Sequence, residues 1–361
     1  MIHGAAFQQL LGEMVGSGGV SGVSALVGTV ERIEWTGAAG LARRPDRPAE
    51  LGSRFDLGSL TKPFVATLAL VLDSRGDLSL GLPIGEVWPR ADPRLARLPL
   101  SDLLCHRSGL AAWTPLYRRC DSLAAILALL LGGDLLGADL PTYSDLDYLL
   151  WARAAEECLG LPLADLLRER VLAPLGLSTV TLAPGDQPDV AESLMGTGKE
   201  VELAAEQGIA IEDLGPPAPG TVQDGNSRFL AGLGVDLPGH AGLFGRAADL
   251  WALGVEWLRP GRLFSQEAAN LALSAGSGLY ALGWVRRNVA GSAGPALGPD
   301  SFGHSGFAGG SLWIDPAASD GGRILVLLGA RTDPAIDFNP WRRRFHALAY
   351  DEGNCKERAS Q

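Results

Sequence analysis

Residues 55–64 read FDLGSLTKPF and mark the point where a short strand-like segment, residues 53–58, gives way to a helix. The helix is predicted to begin at Ser59 because the long apolar run FVATLALVL follows. Pro63 fits its first turn, where backbone N–H groups have no helical partner. Lys62 is one of only three lysines in a chain that has 27 arginines. A lysine at the start of an apolar helix, rather than on a polar surface, predicts a chemical role.

Ser59 and Lys62 have the spacing of a nucleophile and its base. Residues three apart on a helix share a face, so the two side chains are expected to meet. A serine hydroxyl becomes a good nucleophile when a neighbouring base takes its proton, and lysine serves as that base when burial or a nearby cation lowers its pKa. Free N–H groups of the first helical turn can also stabilise an oxyanion. A helix-capping serine beside a lysine that reaches solvent has the same spacing, so the pair alone leaves both interpretations open.

Two later stretches carry further candidate groups. LPTYSDLDYLL, residues 140–150, places Tyr143 in a loop and Asp145 at the N-cap of the next helix. A tyrosine beside a lysine can relay protons, since the cation lowers the pKa of the phenol. FGHSGFAGGSLWID, residues 302–315, places His304 before glycines, which let a strand approach a substrate closely and offer N–H groups to an oxyanion. Each stretch alone also fits an ordinary structural role.

Strand patterns lie at both ends of the sequence, and helical patterns lie between them. Residues 22–42 alternate in two stretches around Gly28, as in a β-hairpin, and residues 310–331 contain two strands around a turn. Helices are predicted at residues 99–105, 121–131, 145–159, 162–172 and 246–258. The Gly- and Pro-rich residues 211–240 are predicted to lack regular structure, and loops of that length are usually functional or disordered.

The simplest architecture for this order of elements is an α+β fold. One antiparallel sheet is built from both chain termini and flanked by helices, including those predicted at residues 5–15 and 340–350. A mainly helical lobe is inserted in it. We expect residues 1–75 and 277–361 to form the α/β lobe and residues 76–276 the helical lobe, with the active site between them.

In this order, the three stretches resemble the motifs of the serine β-lactamase and penicillin-binding-protein superfamily, and within it the class C β-lactamase-like esterases and D-amino peptidases. The S-x-x-K, Y-x-N and H-x-G motifs of the family correspond to SLTK at 59–62, YSD at 143–145 and HSG at 304–306. LLCHRSGL at 103–110 and the stretch 222–244 are also similar, and the likeness covers roughly residues 20–335. The resemblance implies a β-lactamase/transpeptidase-like fold.

The resemblance also implies a serine hydrolase that works through an acyl-enzyme. Ser59 would attack a carbonyl, and Lys62 and Tyr143 would act as the pair that moves its proton to the leaving group. Backbone N–H groups of Ser59 and Phe307 would hold the oxyanion, and water would then release the acyl group. The expected substrate is a small-molecule ester, amide or β-lactam, and neither a cofactor nor a metal is implied.

Asp145 and His304 depart from the family pattern. Together with Gly306 and Phe307, they are expected to line the part of the site that binds the substrate and the oxyanion. Asp145 stands where asparagine is usual, and its pairing with Lys62 would raise the pKa of the lysine and weaken it as a base. His304 replaces the usual lysine, and with an ordinary pKa near 6.5 only about a quarter of it would be charged at pH 7. A substrate carboxylate would be held weakly, which favours small esters or amides over efficient β-lactam hydrolysis. The alternative is a catalytically silent member that binds a peptide or cell-wall fragment.

Composition argues against several other classes. A net charge of −11 and a pI near 5.0 disfavour nucleic acid or an anionic membrane as a partner. The most apolar run, residues 123–133, has about half of the ~20 residues that a membrane span needs, and no signal peptide is evident, so a soluble, cytoplasmic protein is expected. No serine lies in a G-x-S-x-G motif and no H-E-x-x-H motif occurs. The four cysteines match no zinc or redox pattern and are expected to be free thiols; the oligomeric state stays open.

Overall fold

The computed structural model describes residues 4–318 and 321–350. Its strands are β1 (Val20–Gly28), β2 (Ile33–Arg43), β3 (Arg47–Pro48), β4 (Phe55–Asp56), β5 (Thr181–Leu182), β6 (Leu243–Gly245), β7 (Val285–Arg286), β8 (Phe302–Ser305), β9 (Ser311–Asp315) and β10 (Arg323–Arg331). Its helices are α1 (Gly4–Gly16), α2 (Thr61–Arg75), α3 (Ile84–Val87), α4 (Pro93–Ala96), α5 (Leu100–Leu104), α6 (Leu116–Arg119), α7 (Leu123–Leu131), α8 (Asp145–Leu159), α9 (Leu163–Leu167), α10 (Ala173–Leu175), α11 (Gly198–Glu206), α12 (Gly225–Gly232), α13 (Ala247–Leu258), α14 (Gln266–Ser274) and α15 (Asn339–Tyr350).

The main sheet joins the two ends of the chain. Within the described residues it has seven strands in the order β3-β2-β1-β10-β9-β8-β7, and neighbouring strands are antiparallel. The N-terminal strand β1 pairs with the C-terminal strand β10 from Val20↔Arg331 to Gly28↔Ile324. The predicted α+β fold, with an antiparallel sheet made from both termini, is therefore confirmed.

Helices cover both faces of this sheet, so its central strands are buried throughout. Side chains alternate along a strand, and successive residues of β10 enter different hydrophobic clusters: Val326 packs with helices α2 and α13, whereas Leu327 packs with α1 and α15. The sequence of β10 is accordingly a nearly continuous apolar run, without the alternation of apolar and polar residues that a half-buried strand shows.

Helix α2 lies inside the core and presents the nucleophile motif. Its residues 61–72 are all buried, as expected for a helix that is apolar around its whole circumference. It ends at Gly76, whose left-handed φ of 74° caps the last turn.

The proposed division into two lobes stays a prediction. Helix α13, which lies within residues 76–276, packs against strands β1, β9 and β10 of the main sheet.

The sequence-based expectations were wrong in several places. A second, three-stranded sheet in the order β4-β6-β5 was not foreseen. Residues 211–240 contain helix α12, which Asp224 caps by accepting a hydrogen bond from the Ser227 N–H at 2.7 Å.

The cysteines and the apolar helices bear on two further predictions. Cys105, Cys120 and Cys158 are free thiols, as predicted, and Cys355 lies outside the described residues. Among the residues that the structure describes, no helix is both long and apolar enough to span a membrane.

Candidate active site

The nucleophile turn is held from behind by a buried carboxylate. Asp56 accepts hydrogen bonds from the Gly58 N–H at 2.9 Å and from the Gln223 N–H at 2.7 Å. Burial raises the pKa of Asp56 to about 6. Gly58 has φ +49°, a backbone conformation that favours glycine, and the following 3-10 turn leaves Ser59 partly exposed at a cavity. The Asp56 carboxylate thus fixes the backbone that presents Ser59.

Lys62 points into this site rather than to solvent. Its side chain is 0% exposed, so the alternative of a lysine that reaches solvent is wrong. The ammonium donates to the Ser59 Oγ at 3.1 Å, to the Asp145 Oδ1 at 2.6 Å and to the main-chain oxygen of His240 at 3.2 Å. Three donors therefore meet three acceptors, which satisfies the charged form.

The charge state of Lys62 follows from its surroundings. Burial alone would lower the pKa of Lys62, but the Asp145 carboxylate, helped by Tyr143, raises it above the ordinary value. This is the effect expected from an aspartate at this motif position. At neutral pH Lys62 is therefore an ammonium ion, and its proton has to leave before it can act as a base.

Tyr143 lies beside the lysine, in a loop held by a buried histidine. Its ring centroid is 4.8 Å from the Lys62 Nζ and 4.5 Å from the ring of His106. Burial raises the pKa of Tyr143, whereas Lys62 and Ser59 act in the opposite direction, so the phenol is protonated at neutral pH. His106 Nδ1 accepts a hydrogen bond from the Ser144 N–H at 3.0 Å, and its own backbone has φ 56°. The N-cap of α8 is Ser144, not Asp145 as predicted.

His304 is buried on β8 and is neutral. Burial, and then the Lys62 charge, lower the pKa of His304 to about 3. Its Nδ1 lies 3.0 Å from the main-chain oxygen of Ser305, which fixes a tautomer that donates there. The expectation that about a quarter of it is charged at pH 7 was wrong, because that figure assumed an exposed imidazole.

The third motif contacts the first directly. A Cβ added to Gly306 would lie 2.7 Å from the main-chain oxygen of Leu57, so only glycine fits this approach. Phe307 and Ala308 then line the cavity next to Gly58 and Ser59. The fold thus brings the three predicted motifs to one place.

The cavity in front of Ser59 has a volume of about 260 Å³. Its lining includes Tyr143, Asp145 and Phe307, and several residues that lie outside the three motifs: Asp56, Trp113, Glu200, Leu203, Gln223, Asp224 and His240. Asp56 had a local signal, since an aspartate two residues before glycine favours a turn that its own side chain closes. Trp113 and Glu200 had none. A larger cavity of about 590 Å³ between α9, α10 and β5 contains none of the motif residues.

Glu200, which lines the cavity, is a buried carboxyl group. It is 8% exposed and accepts hydrogen bonds from the Tyr117 hydroxyl and the Gly225 N–H, both at 2.8 Å. Burial, and then the negative charge of Asp224, raise the pKa of Glu200 to about 7. Helix α11 is thus attached to the rest of the cavity through a carboxyl group that titrates near neutrality.

We expect this carboxyl group to make folding less favourable as the pH rises. The folded pKa lies above the unfolded one, so its contribution is present below about pH 4.5 and is lost as the pH rises through 7. Relative to Glu200→Gln, the unfolding free energy of the wild type should fall by about 2 kcal/mol between pH 5 and pH 8. Urea unfolding of both proteins measures this. Glu202→Gln, on the same helix but exposed, is the control, and parallel pH curves for wild type and Glu200→Gln would contradict the assignment.

Comparisons with known proteins place this geometry in a family. The sequence profile described as Beta-lactamase matches residues 7–349. The chain is 29% identical over 336 residues to the N-acetylmuramyl-L-alanine amidase of Bacillus subtilis (strain 168), an alignment that covers 81% of this chain and 71% of that protein. It is 39% identical over 98 residues to Esterase EstB of Burkholderia gladioli, covering 26% of this chain and only 25% of the esterase.

Solved structures agree on the fold. EstCE1, a hydrolase with promiscuous acyltransferase activity, superposes with a TM-score of 0.76 at 20% identity and covers 96% of this chain and 98% of its own. A class C beta-lactamase from Rhodobacter sphaeroides superposes with a TM-score of 0.73 at 19% identity, and the superposition covers 95% of this chain and 98% of the beta-lactamase chain. At these identities the superpositions support the fold alone, but the profile match spans nearly the whole chain. The chain therefore belongs to the beta-lactamase family of serine hydrolases.

Proposed function

We propose that this protein hydrolyses small esters, and more slowly small amides, through an acyl-enzyme on Ser59. The observation that carries the proposal is the 3.1 Å hydrogen bond between the Lys62 Nζ and the Ser59 Oγ, at the edge of a cavity that Tyr143 also lines. A nucleophile and a base within hydrogen-bond reach, with the base held by a third group, is the arrangement that nucleophilic catalysis requires. Asp145 is that third group.

In the proposed reaction, the Lys62–Tyr143 pair first releases one proton to solvent. The Ser59 Oγ then bonds to the substrate carbonyl carbon, and its proton passes to the site that has become free on this pair. The carbonyl oxygen becomes an oxyanion, which the N–H groups of Ser59 and Phe307 stabilise. When the oxyanion collapses, the alkoxide leaves and takes the proton from the pair. A water molecule then attacks the acyl-enzyme by the same route, releasing a carboxylic acid and restoring Ser59.

The charges around the cavity favour uncharged substrates. The Lys62 ammonium is occupied by three acceptors, His304 is neutral, and the Lys199 Nζ pairs with Glu202 at 2.6 Å. Among the described residues that line the cavity, no cation is thus free to hold a substrate carboxylate, which penicillins and D-Ala peptides carry. The apolar walls formed by Trp113 and Phe307 suit an uncharged acyl group.

One observation favours a second candidate, a silent member that binds a peptide or cell-wall fragment. The Asp145 carboxylate raises the pKa of Lys62, and a lysine that stays charged is a poor base. Against this, Ser59, Lys62 and Tyr143 are retained together, although binding alone requires none of them.

Covalent labelling tests the proposal. The wild type is exposed briefly to p-nitrophenyl acetate, a penicillin or a fluorophosphonate, and its intact mass is measured. We expect one adduct with the acetate and the fluorophosphonate, and slower labelling by the penicillin. Fragmentation of the tryptic peptide 55–75 should place the adduct on Ser59 rather than on Ser74. No adduct with any reagent would favour the silent binder, and an adduct on another residue would contradict the assignment of Ser59.

A further inference from the structure

Two buried arginines bind the back of the turn that follows His304. Arg342, on α15, donates from its Nη2 to the main-chain oxygens of Gly306 and Gly310, both at 2.9 Å. Its Nη1 donates to the Asn339 Oδ1 at 2.9 Å. The turn itself is closed by the Gly306 N–H, which donates to the Gly310 oxygen at 2.8 Å.

Arg331, the last residue of β10, binds the next two carbonyl groups of the same turn. Its Nη1 donates to the main-chain oxygen of Phe307 at 3.2 Å, and its backbone N–H donates to that of Ala308 at 3.3 Å. Its guanidinium also lies 5.1 Å from the centre of the Phe307 ring. Together, the two arginines donate hydrogen bonds to the main-chain oxygens of residues 306, 307, 308 and 310.

The orientation of these carbonyl groups sets the direction of the N–H groups on the other side. In a trans peptide the C=O of one residue and the N–H of the next point in opposite directions. Because the Gly306 and Phe307 carbonyls point to the arginines, the N–H groups of Phe307 and Ala308 point away from them, towards the nucleophile turn. A Cβ placed on Gly58 would lie 3.9 Å from the Phe307 nitrogen and 3.7 Å from the Ala308 nitrogen.

We propose that Arg342 is a positioning residue, which holds the Gly306–Phe307 peptide so that its N–H faces the substrate oxyanion. A hydrogen bond from a guanidinium to the carbonyl also polarises that peptide and strengthens its N–H as a donor. The role rests on the proposed function, since it needs an oxyanion at this place. It acts on the rate of acylation rather than on substrate binding, because the N–H is needed most when the charge develops.

The surroundings of Arg342 support this role over that of a substrate anchor. The residue is 6% exposed and lies outside the cavity lining, and both Nη atoms are occupied by the turn and Asn339. Among the described residues no carboxylate forms an ion pair with it, and burial, followed by the charge of Arg331, lowers the pKa of Arg342 to about 9. A buried cation without an ion-pair partner is unfavourable, and here the carbonyl groups of the turn compensate it, together with the more distant charge of Asp337.

Arg342→Lys and Arg342→Ala test the proposal by steady-state hydrolysis of p-nitrophenyl acetate. Lysine keeps the charge but lacks the planar guanidinium fork, in which Nη2 reaches the two carbonyls while Nη1 reaches Asn339. We therefore expect kcat to fall about 10-fold to 100-fold, near the loss for a weakened oxyanion donor, with KM changed less than about twofold. Ethylguanidinium should restore part of kcat in Arg342→Ala only. A folded Arg342→Lys variant with wild-type kcat would overturn the proposal, as would a change confined to KM.

Controls separate this role from general stability and from the proposed function. Arg323→Lys also removes a buried arginine that contacts α15, through the main-chain oxygen of Ala349, but far from the turn, and is expected to lower the melting temperature without changing kcat. If the Arg342 variants do not fold, Asn339→Ala decides: a fall in kcat of threefold or more supports the proposal, and an unchanged kcat overturns it. A wild type without any hydrolysis would overturn both this inference and the proposed function, whereas an active wild type with insensitive variants overturns this inference alone.

Discussion

Replacing Ser59 by alanine is expected to abolish the acyl adduct and to lower kcat/KM for p-nitrophenyl acetate by at least about 10⁴-fold, as when a nucleophile is removed from other serine hydrolases. Without the Oγ no covalent intermediate forms, and the serine proton that the Lys62–Tyr143 pair would pass to the leaving group is absent. The structure should otherwise persist, because Lys62 keeps its hydrogen bonds to Asp145 and to the His240 main-chain oxygen. Initial-rate kinetics and intact-mass spectrometry on the same samples measure both effects.

The control for this variant is Ser274→Ala. Ser274 lies exposed at the end of α14, and its hydroxyl donates only to the main-chain oxygen of Leu271 among the contacts described. It should leave kcat/KM and labelling unchanged. If Ser59→Ala kept more than a tenth of the wild-type activity with an unchanged melting temperature, hydrolysis would have to occur without Ser59, and the acyl-enzyme mechanism would be wrong.

The sequence was most informative where the interaction is local or the pattern is long. Ser59 and Lys62 are three residues apart, so their contact follows from local helical geometry, although Ser59 lies in a 3-10 turn and α2 itself begins at Thr61 rather than at Ser59 as predicted. The two strand-rich ends of the chain predicted that β1 and β10 belong to one sheet, since a strand buried on one or both faces needs partners. The same reasoning placed α8 at residues 145–159, the bounds that the structure shows.

What the sequence could not supply depends on tertiary burial. His346 is an example: its side chain is fully buried, with Nδ1 2.9 Å from the Ala293 main-chain oxygen, and no local pattern indicates this burial. The charge state of His304 likewise depends on its burial beside Lys62, which no spacing rule reports. Arg342 binds Gly306 across 36 residues of sequence, and Glu200 reaches Gly225 across 25. Strands of two residues, such as β5, have too few positions for alternation to be read.

At Asp145, the sequence-based prediction and the tertiary structure can be compared directly. The sequence predicted that an aspartate here would pair with Lys62 and raise its pKa, and the structure brings the two groups to 2.6 Å. This pair can have a structural effect as well as a catalytic one. A decisive variant therefore has to separate the stability that the pair provides from the proton transfer that the lysine performs.

Lys62→Met is expected to lower kcat/KM about 10³-fold, within the range for loss of a general base. Methionine fills a similar volume but neither donates to Ser59 nor accepts its proton. The unfolding free energy should also fall by about 2 kcal/mol, because Asp145 loses its counter-ion. This loss is smaller than for a fully buried ion pair, since the Asp145 side chain is 20% exposed. Steady-state kinetics and urea unfolding at pH 7 measure the two effects.

The double variant Lys62→Met/Asp145→Asn distinguishes the two roles of the lysine. Removing the carboxylate charge as well leaves no unpaired ion, so the unfolding free energy should return to within about 1 kcal/mol of the wild type. Activity should stay at the level of Lys62→Met, because asparagine restores no base. If activity instead returned together with stability, Lys62 would serve only to balance Asp145, and Tyr143 alone would have to take the proton of Ser59.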